Sequence, residues 1–196
     1  MRVRLMCGLF ARAAALTTNA AGPSREYGSI PRAAVAVCVR RSATGLPWYL
    51  LIQRGKAPGK GKWSLPGGGI ELGEGTAAAA RRELQEECAL DDSAVRWSDR
   101  PFTTTDAIYH DEGGAVQFHY LIAQFYCEAR EGASPVAGDD ALDAKWWSLD
   151  EVARGAADGK VAGNCDVVLG RAEALRQAGL LSCGAEAQGR LAPSSL

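Results

Sequence analysis

Residues 63–90 read WSLPGGGIELGEGTAAAARRELQEECAL. The second half of this stretch, from about Thr76 to Cys88, predicts a helix because it is Ala-rich and free of Gly and Pro. Ala77, Ala80, Leu84 and Cys88 recur at steps of three and four, giving one apolar stripe that can pack on a sheet. Glu83, Glu86 and Glu87 fall on another face. Glu83 precedes its two partners by three and four residues, so like charges become neighbours at roughly 0.2–0.5 kcal/mol per pair. The helix end adds to that cost, since Glu86 and Glu87 stand in the last turn, where the macrodipole is already negative. The arrangement calls for something cationic.

Taken alone, these carboxylates read as a solvated acidic face, partly neutralised by Arg81 and Arg82. The preceding turn points further. Pro66, Gly67, Gly68 and Gly69 supply backbone that approaches a ligand closely and aims carbonyls or amides at it, where a Cβ would obstruct. Carboxylates and a backbone carbonyl make an all-oxygen site. Such a site suits a hard cation, above all Mg2+, which binds through a few carboxylates and keeps positions open for water and substrate phosphates.

The stretch resembles the signature of the Nudix hydrolases, G-x5-E-x7-R-E-U-x-E-E-x-G-U with U aliphatic. Gly68 is followed at the required distances by Glu74, Arg82, Glu83, Leu84, Glu86, Glu87 and Leu90, so eight of nine defined positions agree. The resemblance implies an α/β fold, a Nudix-type α/β/α sandwich with a mixed sheet. It implies that Glu83, Glu86 and Glu87 hold catalytic Mg2+, for which Mn2+ can substitute, with the Gly67 carbonyl as a further ligand. It assigns Arg82 to orienting the carboxylates and pairing with Glu74, so that Glu74, Arg82, Glu86 and Glu87 form the catalytic set; Glu74 otherwise reads as an ordinary loop carboxylate. The departure is Ala89, where the family has Gly. A left-handed residue there costs Ala roughly 1–2 kcal/mol, so the helix is expected to end differently or to run a residue further towards Asp91. The expected consequence is on stability, not catalysis. Gly75 serves as the N-cap.

Around the signature, residues 33–41 (AAVAVCVRR), 48–53 (WYLLIQ) and 118–129 (FHYLIAQFYCEA) read as strands. SPVAGDD reads as a loop, AKWWSL as a short strand, Leu149–Arg154 as the start of a helix, and the segment after Asn164 as a helix that Gly179 stops. The domain is expected to span residues 30–180. RGKAPGKGKWSLPGG, FHYLIAQF and PVAGDDALDAKWWSLDEV are similar to an ADP-ribose pyrophosphatase-like group, and the resemblance covers roughly residues 31–178.

The implied reaction is Mg2+-dependent cleavage of a diphosphate linkage in a nucleoside diphosphate derivative such as ADP-ribose. A nucleoside triphosphate pyrophosphohydrolase and a non-catalytic nucleotide sensor are the other readings; the presence of all three carboxylates argues against the sensor. One ion would activate water while another spans phosphate oxygens. Arg54 and Lys56 precede the glycine turn and are candidates to meet phosphate oxygens, or are solvated loop charges. The proton acceptor is sought among Glu86, Glu87, Glu112, Asp139 and Asp140. Tyr109, Phe118, Tyr120, Trp146 and Trp147 are candidates to stack on a base. Tyr120 and one of the Trp pair, taken as Trp146, are favoured, since alternation should bury one Trp and expose its neighbour. His110 and His119 suit packing or polar contacts, because Mg2+ prefers oxygen.

The chain has 196 residues, 47% hydrophobic, which suits one domain, and no segment long enough to cross a membrane. Six cysteines, at 7, 38, 88, 127, 165 and 183, show no metal-type pairs and fit a reduced compartment. Residues 1–41 hold seven Arg and one acid, leaving 15 basic against 22 acidic residues beyond them. That acidic remainder argues against nucleic acid as a partner. Arg2, Arg4, Arg12 and Arg25 among Leu5, Leu9 and Phe10 resemble a mitochondrial or plastid presequence over residues 1–29; a disordered extension is the other reading, and the protein would then be cytoplasmic. Residues 181–196 read as a flexible tail. The partner is a small-molecule nucleotide, and the fold admits a homodimer.

Overall fold

The computed structural model describes residues 30–43 and 45–184. The expected presequence or extension, and residues 185–196 of the expected tail, lie outside the described residues.

Alternation in the apolar strands sets the architecture. The strands are β1 (Arg32–Ala43), β2 (Leu46–Arg54), β3 (Trp63–Ser64), β4 (Val95–Trp97), β5 (Thr103–His110), β6 (Val116–Ala129) and β7 (Ala141–Ser148); the helices are α1 (Thr76–Cys88), α2 (Leu149–Ala157) and α3 (Cys165–Gln177). β1 pairs antiparallel with β2 and parallel with β6, so the sheet is mixed. β7 flanks β2, while β4 and β5 pair with the two halves of β6. Val35, Val37, Val39, Leu50, Ile52 and Phe125 face α1, where Ala79, Ala80, Leu84 and Cys88 cover them. The intervening Ala36, Cys38, Tyr49, Leu51 and Tyr126 face α2 and α3, where Val152, Val168, Leu169 and Ala172 cover them. Burying each large apolar side chain stabilises this three-layer sandwich by roughly 1.5–3 kcal/mol. Leu181, beyond α3, is buried in the same second core.

Helix α1 has the bounds its composition predicts, but its end corrects one expectation. Ala89 does not prolong the helix. It takes the left-handed conformation itself, at φ 54° and ψ 30°, and its N–H donates to Gln85 O. The carbonyls of Glu87 and Cys88 accept from Gly138 N–H at 3.1 Å and Val136 N–H at 3.0 Å, which satisfies groups a helix end leaves open. Those bonds seat the 136–140 loop against α1, with Gly138 so close that a Cβ there would lie 2.5 Å from Glu86 O.

The glycine turn is fixed in the same way. Val37 N–H donates to Pro66 O and Val35 N–H to Gly68 O, each at 2.9 Å, so the turn runs alongside β1. Gly67 has φ +148°, and a Cβ there would lie 2.2 Å from Val35 O.

On the opposite layer α2 starts with a Ser148–Glu151 capping box. Asn164 sits at the N-cap of α3 as read from the sequence, although its side chain makes no capping bond. Buried Glu173 clasps α3 to the sheet, accepting from Arg40 Nε at 3.0 Å and Tyr49 OH at 2.7 Å, with Arg176 on its other side. Burial alone would raise its pKa, yet these donors together hold it down at about 2. Among the described residues no helix is long and apolar enough to cross a membrane, and Cys38, Cys88, Cys127, Cys165 and Cys183 are free thiols.

Candidate functional site

A cavity of about 690 Å3 opens between the glycine turn, α1, the β2–β3 loop, the β5–β6 pair and the start of α3. Its lining includes Gly67, Gly68, Glu83 and Glu87 from the signature, Arg54 and Lys56 from the β2–β3 side, Asp139 and Asp140 from the loop on α1, and Tyr120. Residues spread over more than a hundred positions of sequence thus meet at one place.

The carboxylates are held tightly. Glu87 is buried and its Oε2 accepts from Gly67 N–H at 2.7 Å. Burial pushes its pKa up to about 8; the Gly67 bond opposes the rise, and Glu83 and Asp140 add to it. Glu83 is also raised, first by burial, against the pull of Arg82. The backbone comes so close that a Cβ on Gly68 would lie 2.6 Å from Glu83 Oε1.

Arg82 organises the group. It donates in a fork to Glu74, from Nε and Nη2 at 2.9 Å each, and also to Glu83 Oε1 at 2.8 Å, Glu86 Oε2 at 3.0 Å and Gly69 O at 3.0 Å. The Arg82 hydrogen bond is the largest influence lowering the Glu74 pKa, and the Glu74 bond is the largest raising that of Arg82. Glu74 and Arg82 thus brace the carboxylates from behind. Glu86 differs from its partners: it is half exposed, turned to Arg82, and does not line the cavity.

A hard cation fits part of this donor set. Among the described residues, no group of three or more His, Cys, Asp or Glu side chains is arranged to hold a metal; Glu83 and Glu86 are both hydrogen-bonded to Arg82. The Glu83 and Glu87 carboxylates nevertheless line the cavity with oxygen donors, Glu87 buried and Glu83 half-buried. Mg2+ is commonly held by one or two carboxylates, the remaining positions falling to water and phosphate.

Other candidates divide. Arg54 and Lys56 both line the cavity; Arg54 Nε donates to Pro58 O at 2.8 Å, and Lys56 Nζ lies 3.3 Å from Asp140 Oδ2. Tyr109 and Tyr120 line it as well, with Phe118 ring-stacked on Tyr120 at 6.4 Å. Trp146 is not brought to it: it packs against the α1 side of the core beneath Arg41, whose guanidinium lies 4.5 Å from the ring centroid. Alternation does place Trp147 on the other face, against Trp63, but helices cover both faces and neither Trp is exposed. Glu112, in the β5–β6 turn, and His119, paired with Asp106 at 3.1 Å, are also outside the lining. Sequence reading missed Thr105, Gln124 and Ser64 in the wall. For Gln124 there was a signal, an amide inside the otherwise apolar run from Tyr120 to Cys127.

Solved structures share this fold. The C. elegans Ap4A hydrolase in a binary complex matches with TM-score 0.60 at 19% identity, covering 75% of this chain and 98% of that one. The NUDIX domain of Shewanella oneidensis NrtR complexed with ADP ribose matches with TM-score 0.58 at 20% identity, covering 74% and 88%. The Francisella tularensis bifunctional NMN adenylyltransferase/ADP ribose pyrophosphatase, complexed with AMP and a Mn ion, matches with TM-score 0.52 at 23% identity, covering 76% and 42%. No curated protein matches the chain. The NUDIX domain pattern matches residues 30–163, well over half of the sequence, and the chain belongs to the Nudix family.

Proposed function

We propose that the chain is a Mg2+-dependent hydrolase that cleaves the diphosphate linkage of a nucleoside diphosphate derivative such as ADP-ribose. The observation that carries this is the cavity itself, in which the half-buried Glu83 and buried Glu87 carboxylates share one wall system with Arg54, Lys56 and an aromatic ring, Tyr120. A polyanionic substrate would be repelled by the acids alone. Mg2+, held by Glu83 and Glu87 when bound, supplies the charge that reverses this field and makes a bound water a better nucleophile.

The chain's own residues supply the rest. Arg54 and Lys56 attract phosphate oxygens, and Arg82 with Glu74 keeps Glu83 in place. Asp139 and Asp140, which line the cavity, join Glu87 as candidate proton acceptors, whereas Glu112 lies outside the lining. The Tyr120 ring offers a face to a base. Structural relatives crystallised with ADP ribose, and with AMP and Mn, support a nucleotide as occupant. The test is phosphate release from ADP-ribose, NADH, diadenosine polyphosphates and nucleoside triphosphates, with Mg2+, with Mn2+ and with a chelator. Metal-dependent turnover of ADP-ribose bears the proposal out. Turnover of triphosphates alone would move the substrate assignment, and nucleotide binding without turnover would make the chain a sensor.

A further inference from the structure

Within β6 the run from Tyr120 to Cys127 is apolar except for Gln124. Gln124 is 3% exposed, and alternation puts it on the same face of β6 as Tyr120 and Ile122. All three line the cavity, together with Thr105 of β5. The Gln124 amide is tied at one end only: Nε2 donates to Thr105 Oγ1 at 2.8 Å, while Oε1 has no hydrogen-bond partner among the described residues. A buried amide oxygen without a donor is destabilising, and native structures keep few of them. In this arrangement it has no access to water; a small turn about the soft terminal torsion, with Nε2 kept on Thr105, would bring it to a donor held in the cavity.

The surroundings indicate which part of a ligand comes here. Ala36 is the register partner of Gln124 on β1, and Ala34, Ile122 and Val168 also line the cavity, so this wall is small and apolar. Of the ionic lining residues, Asp106 of β5 belongs to this wall and is paired with His119 at 3.1 Å, while Arg54, Lys56, Glu83, Glu87, Asp139 and Asp140 come from other elements. Phosphates belong with those charges, which leaves the nucleoside for the β5–β6 wall.

We propose that Gln124 is a specificity-determining residue whose amide oxygen accepts a hydrogen bond from a donor on the nucleoside half of the substrate, a base amine or a ribose hydroxyl. Thr105 acts as the positioning residue that holds the amide. The inference rests on the proposed nucleotide-cleaving function of this cavity. A site built to pair a substrate donor rejects analogues that lack it far more strongly than an apolar pocket could.

The experiment is calorimetric binding of AMP, IMP, 2′-deoxy-AMP and 3′-deoxy-AMP, with Mg2+ present, to the wild type, Gln124→Met and Thr105→Val. AMP holds no phosphoanhydride, so binding is read without turnover. Gln124→Met is expected to weaken AMP binding roughly tenfold to a hundredfold while leaving Tm equal to or above that of the wild type. The wild type should lose similar affinity for one analogue, which identifies the donor, and Gln124→Met should no longer tell that analogue from AMP. Thr105→Val should give a smaller loss with the same selectivity, and it carries the test if Gln124→Met does not fold. Wild-type affinities in both variants, no binding of AMP to the wild type, or an equal loss for all four ligands with a lowered Tm would each overturn the inference. If this selectivity appears in a protein that turns over no nucleotide, the inference stands and the hydrolase proposal fails.

Discussion

Replacing Ala89 by Gly should stabilise the protein without touching its chemistry. Ala89 ends α1 at φ 54° and ψ 30°, with its N–H bonded to Gln85 O. An L-residue pays about 1–2 kcal/mol for that conformation, and Gly avoids this. Gly also loses about 0.4–1 kcal/mol through the greater freedom of the unfolded chain. The difference leaves a net gain of roughly 0.5–1 kcal/mol. With a urea m-value of about 2 kcal/mol per M, the midpoint should rise by about 0.25–0.5 M at unchanged m. Urea unfolding followed by circular dichroism reads this directly. Turnover should be unchanged, because Ala89 lies outside the cavity lining. A midpoint at or below that of the wild type would refute the reasoning, since it would mean that the left-handed residue is not strained or that the helix end rearranges.

Three further outcomes follow from the same geometry. Gly67→Ala places a Cβ 2.2 Å from Val35 O and should disrupt the bonds that hold the turn on β1, costing about 3 kcal/mol or more; urea unfolding checks this, and a loss under 1 kcal/mol would count against it. Glu87 is raised in the folded state, so the stability it contributes is complete below its ordinary pKa of about 4.3 and is lost as pH rises through about 8. Metal-free protein should therefore lose stability across that window, Mg2+ should offset the loss at its upper end, and Glu87→Gln should flatten the profile in a pH series of melting curves. Glu173→Ala leaves buried Arg40 without its carboxylate and should cost about 3–5 kcal/mol; thermal unfolding checks it, with an unchanged Tm as the contrary result.

The reading from sequence succeeds where pattern and local chemistry agree. Helix α1 from Thr76 to Cys88 is Ala-rich, free of breakers and striped, and its packing is what the stripe demands. β1, β2 and β6 are apolar runs, legible because both faces are covered. β5, TTTDAIYH, was not legible: its residues alternate between half-buried and exposed, and pairing with β6 is what makes it a strand. β3 has two residues and β4 three, too few for any period. At the site, Gly67, Glu83, Glu87, Arg54, Lys56 and Tyr120 do meet. Trp146 does not, because β7 contributes no residue to the lining, which alternation within that strand cannot reveal. Glu86 falls outside the lining because helix spacing of one residue turns it away from Glu87 and onto Arg82. Gln124 went unnoticed because an amide in an apolar run reads as core until its partners are known.

The most direct test of the hydrolase reading is steady-state turnover of ADP-ribose against Mg2+ concentration, measured for the wild type and Glu87→Gln. Saturable, chelator-sensitive turnover that falls by about a hundredfold or more in Glu87→Gln is the expected result. Equal turnover by the two proteins at saturating Mg2+ would contradict the role given to the buried carboxylate and, with it, the proposed site.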